Sequence, residues 1–320
     1  MQNQNTREVS HKSVLKDEVC ELLKKENAPL NIQARLIDAT LGLGGHAKEF
    51  VRSGWKVLGI DMDKKAIEVA QKVLTQACPD RYHTVSDSTR SSRKTGPFKL
   101  INGNFKDIKK IAIEHGFTKV DAILFDLGVS VPQLTSKVRG FSFQNADAVL
   151  DMRLGKTTQN VTAADLLNAL NEKQLVNLFA SVMPHNISRR IAKRVVNQRK
   201  ITKFSRVGDF LDVVGSSIRG KGRLHPATLP FMALRIAVNS ELDVLQLALP
   251  DAFSLLAEGG KLAVISFHSG EDAIVKHVFK EFEGKSKGKI ITKKPIVPTR
   301  REIVLNPRAR SAKLRVIQKI

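Results

Sequence analysis

Residues 37–46 read IDATLGLGGH, an apolar run that ends in an acid and passes into a glycine-rich turn closing on a histidine. Glycine has no Cβ, so such a turn lets the backbone crowd against a ligand. Three kinds of ligand suit it: a dinucleotide, a phosphate, or a molecule carrying positive charge. A dinucleotide site wants G-x-G-x-x-G, with pyrophosphate seated on the helix that follows. Here Gly42, Gly44 and Gly45 are followed by His46, and Ala47 and Lys48 stand where the last glycine belongs. The GK[ST] that closes a phosphate loop does not follow this turn, which runs on as GGHAK. Asp61 ends a second apolar run, at the place where an acid hydrogen-bonds ribose hydroxyls. Turn and acid together suit an adenosine ligand without a pyrophosphate. S-adenosylmethionine is such a ligand, and its positive sulfonium is better served by carboxylates than by a phosphate cradle.

A further acid, Asp126, ends the run VDAILFD and is followed by LGVSVPQL. Ligands of open α/β sheets lie outside the carboxyl ends of the strands, so Asp126 is placed to meet a reacting group. An exocyclic amine on a pyrimidine is a poor nucleophile, because its lone pair is delocalised into the ring. A carboxylate that accepts its N–H favours a pyramidal nitrogen, and in-line positioning supplies most of the rate. Enzymes that methylate such amines carry two prolines and an aromatic after this acid, and Leu127-Gly128-Val129 replaces them here. Covalent attack on a ring carbon would need a cysteine near this loop. Neither Cys20 nor Cys78 is so placed, and none of the eight histidines has zinc-ligand spacing, so no metal is expected.

The elements that must position these acids follow from short apolar runs at 36–40, 57–61, 100–104, 120–126 and 261–267. They alternate with helix-period segments such as KKAIEVAQKVL (64–74), which predicts βαβ units and a mostly parallel sheet. The rhythm changes over 134–230, where helices and loops are expected without a strong strand. There Thr162 and Asp165 have capping-box spacing before a helix. In NISRRIAKRVVNQRK (186–200), helical pitch puts Ile187, Ile191 and Val195 on one face and Arg189, Arg190, Lys193 and Arg194 on the other. We therefore expect an α/β domain over 1–133 and 231–320, with a helical, basic substrate-binding insertion at 134–230. The polar stretch 84–97 is expected to be a loop, and EGKSKGK (283–289) a linker before a late strand, IITKK.

The chain carries 53 Lys and Arg against 31 Asp and Glu, a net charge of +22. Residues 134–230 hold 16 basic and 6 acidic side chains, and residues 281–320 hold 12 and 3. The remainder, with 25 and 22, is nearly neutral. Positive charge gathered in this way points to a polyanion, and nucleic acid is favoured because no amphipathic membrane anchor accompanies it. No stretch has the apolar length of a membrane span. The opening MQNQNTREVS has neither a signal-like apolar region nor the composition of a transit peptide, so a cytoplasmic location is expected.

In order along the chain stand HKSVLKDEV, DATLGLGGH, GIDMD, GNF, DLGVSVPQL, RGFSF, LDMRL, HPATLPFMALRIAVNSEL, SFHSGEDAIVK and NPRARSAKLR. Together they closely resemble the bacterial small-subunit ribosomal RNA cytosine-N4 methyltransferases, over nearly the whole chain. The resemblance implies a class I, Rossmann-like methyltransferase sheet with an inserted helical domain. It also implies S-adenosylmethionine as donor and N4 of a decoding-centre cytidine as acceptor. Carried onto this sequence, it puts Gly44, Gly45 and His46 at the methionine and sulfonium end, Asp61 on the ribose and Phe105 on the adenine. Asp126 and Gln133 complete that pocket, with Asp126 polarising the amine. His225, Arg235, Asn239, His268 and Ser269 are expected to line the cytidine pocket or grip its phosphates, at least one of them serving only as a helix cap. Arg190 and Arg194 are expected on phosphates, and Asp151 with Arg153 is expected to form an ion pair. The chain departs from the family at Val131, where a serine is usual, and at Gly270 and Ala273, where leucine and arginine are usual. The expected partner is small-subunit ribosomal RNA or the assembling subunit, and a homodimer is compatible with the sequence. A different function for the same chain is an RNA-binding ribosome-assembly factor whose methylation site has decayed.

Overall fold

Five apolar runs become five neighbouring parallel strands: the inner ones, such as 57–61 and 120–126, are buried on both faces, which only a helix-covered sheet provides, while the outermost, 98–102, is only partly buried. The computed structural model describes residues 13–24, 33–78, 96–128, 139–155, 160–217 and 225–320. The strands are β1 (Arg35–Asp38), β2 (Lys56–Asp61), β3 (Phe98–Asn102), β4 (Val120–Asp126), β5 (Leu256–Ser266), β6 (Gly288–Ile290) and β7 (Lys313–Lys319). They form one sheet in the order β3-β2-β1-β4-β5-β7-β6. The pairings β1–β2, β2–β3, β1–β4 and β4–β5 are parallel, and β7 runs antiparallel to both β5 and β6. This is the Rossmann-like sheet expected from the sequence. The strand order reverses between β1 and β4, so their carboxyl ends flank the crevice where such sheets bind ligands.

The sequence reading did not anticipate β7. Its residues, KLRVIQK, alternate cation and apolar side chain and were expected to belong to a phosphate-binding tail. In the sheet, Arg315 is only 8% exposed. Its Nε lies 2.6 Å from Asp272 Oδ1, and Lys313 Nζ lies 3.2 Å from Oδ2 of the same carboxylate. The late strand expected over IITKK begins earlier, as β6 at Gly288. The loop expected at 84–97 lies almost wholly outside the described residues.

The chain divides into two compact units, one of residues 1–128 and 246–320 and the other of 129–245. The second unit contains the helices Ala163–Ala169, Glu172–Ala180, His185–Gln198, Val207–Ser217 and Thr228–Asn239. It reaches beyond the expected 134–230, because Phe231, Ala233, Leu234 and Val238 bury themselves in the same core as Phe179, Ile191 and Phe210. Thr162 and Asp165 form the capping box their spacing promised, with Asp165 N donating to Thr162 Oγ1 and Thr162 N to Asp165 Oδ2. In the first unit, the helix Gly45–Arg52 packs on the sheet through Ala47, Phe50 and Val51, and Lys64–Ala77 through Ala66, Ala70 and Leu74. No helix among the described residues is long and apolar enough to cross a membrane.

Candidate active site at the strand ends

After Asp38 the chain must reverse within a few residues to start the helix Gly45–Arg52. It does so through Gly42 and Gly44, whose φ values of 52° and 80° lie in the left-handed region that only glycine enters freely. At Gly44 the backbone also approaches its neighbour closely, since a Cβ there would stand 3.2 Å from the Cβ of Ala70. The turn is pinned to the end of β2, with Leu41 N donating to Ile60 O at 2.9 Å and Gly42 N to Asp61 Oδ2 at 2.8 Å. Asp61 Oδ1 accepts from Asp63 N at 2.8 Å. Burial pushes the Asp61 carboxyl up to about 6, against the pull of these amides.

His46 opens the helix with only 5% of its surface exposed. Its Nε2 lies 3.5 Å from Asp126 Oδ2, in ion-pair range, at the tip of β4. Neither His46 Nδ1 nor Asp126 Oδ1 has a hydrogen-bond partner among the described residues, although both atoms are buried. The Asp126 backbone is held by Thr40, whose Oγ1 accepts from Asp126 N at 2.5 Å. Beside them Asp38, 2% exposed, ends β1 and accepts from Thr40 N at 3.3 Å. Desolvation pushes the Asp38 carboxyl up to about 7, although His46 draws it down. For His46, burial works toward the neutral form, but the carboxylates of Asp126 and Asp38 prevail and hold its pKa above the ordinary value. Asp38 and Thr40 were not singled out by the sequence reading. The signal was present, because Asp38 is the acid that closes the first apolar run.

Phe105 begins a short 3-10 turn after β3, and Gly103 N just before it donates to Asp61 O. Its ring stands edge-on to Phe125, centroids 5.5 Å apart, and stays half-buried at the strand ends. The turn thus brings together Gly44, Gly45, His46, Asp61 and Asp126, with Phe105 in the turn that follows β3. Gln133 and Val131 lie outside the described residues.

The remaining expected positions have varied tasks. His268 is the N-cap of the helix Ser269–Gly284, its Nδ1 accepting from Gly270 N at 3.1 Å and Glu271 N at 3.4 Å. Glu271 completes that capping box, and Ser269 is exposed at the first position of the helix. In the helical unit, Asn239 is buried and clamps the backbone of 152–154. Its Oδ1 accepts from Leu154 N at 2.9 Å, while its Nδ2 donates to Met152 O and Arg235 O. Arg235 pairs with Glu241 at 2.9 Å. Asp151 and Arg153 form the expected ion pair at 2.7 Å. His225 is exposed and stacks on Phe143, centroids 4.5 Å apart at 11°. On the helix His185–Gln198, Ile191 and Val195 are buried and Ile187 is half-buried, while Arg189, Arg190, Lys193 and Arg194 are all exposed.

Chemically, the strand ends present three carboxylates around a turn that carries no lysine or arginine of its own. Such a site repels pyrophosphate and favours a cation. Asp126 Oδ1 and His46 Nδ1, buried and without a hydrogen-bond partner among the described residues, fit a compact cationic nucleoside.

A model of the MraW methylase family matches residues 8–320. Among curated proteins, the chain is 41% identical to ribosomal RNA small subunit methyltransferase H of Coprothermobacter proteolyticus, over 98% of this chain and 97% of that protein. It is 40% identical to the protein of the same name from Dictyoglomus thermophilum, over 96% and 95% of the two chains. The corresponding Clostridioides difficile protein is 36% identical, over 98% and 100%.

Proposed function

The chain belongs to the MraW methylase family, and from that premise we propose that it transfers a methyl group from S-adenosylmethionine to N4 of a cytidine in the decoding region of small-subunit ribosomal RNA. The observation that carries the chemistry is the buried Oδ1 of Asp126, without a partner among the described residues, at the tip of β4 beside the glycine turn. When bound, the donor supplies a methyl group on a positively charged sulfur, which makes it an electrophile. Gly44, Gly45 and His46 would hold its methionine end, Asp61 its ribose and Phe105 its adenine.

Asp126 accepts an N–H of the cytidine amine, localises the lone pair on nitrogen and aims it along the line of transfer. Its carboxylate then takes the proton that the methylated nitrogen sheds. Three carboxylates around the donor also favour its cationic form over the neutral thioether left after transfer, which eases release of the product. The target base must leave its stack to reach the strand tips, at least cost in single-stranded or loop RNA. Arg190 and Arg194 engage phosphates, and His225 and Ser269 approach the substrate. Arg235, Asn239 and His268 act through the segments they hold. The substrate is ribosomal RNA, free or in an assembling subunit, and the enzyme works in the cytoplasm. The assembly-factor alternative has no support, since relatives named as methyltransferases match the chain from end to end.

The test is Asp126→Ala. Transfer of labelled methyl to small-subunit RNA should fall by roughly 100-fold or more, the loss usual for one preorganised polar group. Binding of RNA, followed by calorimetry, should persist. Undiminished turnover would remove Asp126 from the mechanism, and a preference for NAD over S-adenosylmethionine would overturn the whole reading.

A further inference from the structure

Asp126 has two oxygens and a terminal torsion that is intrinsically broad, so nothing in its own chemistry selects which oxygen meets a substrate. The structure distinguishes them. Oδ2 faces His46 Nε2 at 3.5 Å, while Oδ1 is buried without a partner among the described residues. His46 is itself costly where it stands, since a 5%-exposed imidazole neither of whose nitrogens has a hydrogen-bond partner among the described residues is a group that an apolar core would replace with leucine. That cost is explained if the imidazole performs a task.

We propose that His46 is a positioning residue for methyl transfer: its Nε2–H holds Asp126 Oδ2 and thereby turns Oδ1 toward the acceptor amine, with Asp38 as its second counter-charge. The proposal rests on the methyl-transfer reading and adds a role for His46 beyond contact with the donor. The 3.5 Å contact closes to a hydrogen bond when the site fills, as catalytic contacts commonly do. In the step itself the C–S bond breaks as the C–N bond forms, and an N–H bond of the methylated amine breaks with its proton passing to Asp126 Oδ1. From Asp126 the proton passes to solvent before the next turnover.

The charged groups acting on His46 are Asp126 from β4, Asp38 from β1 and Lys16 from the helix Lys16–Leu23, with Asp61 of β2 acting on Asp38. The two carboxylates outweigh burial and Lys16 and raise the imidazole pKa above its ordinary value.

The experiment joins a histidine titration to kinetics on the full chain. By NMR of the donor-free protein, His46 should titrate above the ordinary histidine range. Its midpoint should move to lower pH in Asp126→Asn and in Asp38→Asn. In single-turnover methylation of small-subunit RNA, the wild-type rate should fall as pH rises through that midpoint. His46→Ala should lose about 100-fold in rate, the scale of an Å-sized misplacement. His46→Gln, whose amide N–H reaches the same oxygen without titrating, should recover part of the rate and lack the alkaline fall. A His46 midpoint at or below the ordinary value and indifferent to Asp126→Asn would overturn the proposal, even if every His46 variant failed to fold. An unchanged pH profile in His46→Gln would overturn it too. A wild-type chain that leaves small-subunit RNA unmethylated would instead sink the underlying function, which separates the two failures.

Discussion

Asp38 is the residue at which burial and function compete most openly. Its carboxyl, ordinarily at 3.8, is pushed up to about 7 by desolvation. The folded chain therefore keeps a proton that the unfolded chain has already released between about pH 4 and pH 7, and stability falls as pH rises through that window. His46 adds to the trend from higher pH. Its pKa is raised above 6.5, so its stabilisation is complete below that value and is lost as pH climbs through the folded midpoint. A cationic donor should offset both losses by pairing with the carboxylates. Asp38→Asn carries a neutral amide at every pH and should flatten the decline, which melting temperatures at pH 5 and pH 8 would show. Equal slopes for variant and wild type would mean that Asp38 is ionised in the folded chain. At this scale Asp61 and Asp126 could be read from the sequence, because each acid ends an apolar run. The His46–Asp126 contact could not, since 80 residues separate its members.

Among the elements, the helix His185–Gln198 follows its sequence pattern directly. Ile191 and Val195 are buried and four cations face solvent. Like charges at this spacing repel each other, and a phosphate backbone relieves them. The double variant Arg190→Glu/Arg194→Glu should leave the melting temperature nearly unchanged, weaken RNA binding and reduce the salt slope by about two, close to one unit per phosphate lost. Calorimetry and a salt series check both parts. The helix Thr228–Asn239 differs, because its informative polar residue turns inward. Asn239 holds Leu154 N, Met152 O and Arg235 O, and it steadies Met152 at a φ of 61°. Asn239→Ala should cost about 2–3 kcal/mol, the price of stranding buried backbone groups. Thermal unfolding measures that loss. A helical wheel places Asn239 beside Arg235 but says nothing of the loop it clamps, so its sequence reading as a substrate residue had no means of seeing this task.

For the whole molecule, the charge of +22 divides into cations that are free for RNA and cations used in folding. Lys313 and Arg315 belong to the second group, since both grip Asp272. Although burial opposes it, they hold the Asp272 carboxyl below its ordinary range. Arg315→Ala should therefore destabilise the chain by about 1.5–3 kcal/mol, as expected for loss of a charged hydrogen bond with little exposure, and leave the salt slope of RNA binding unchanged. Arg300, Arg301, Arg308 and Arg310 remain exposed on the same tail. A reduced slope in Arg315→Ala would return that residue to the RNA-facing set.

By itself the sequence determined the α/β class, the five parallel strands, the glycine turn, the two acids that end β2 and β4, and the cationic stripe. All of these are written in short-range patterns, where period and neighbouring residue types decide the outcome. Only the tertiary structure decided that β7 enters the sheet antiparallel beside β5, that Asn239 clamps a distant loop, and that Asp38, His46 and Asp126 meet. Those facts depend on which segments come to lie side by side. That choice is made by burial of the whole core, and no local pattern encodes it.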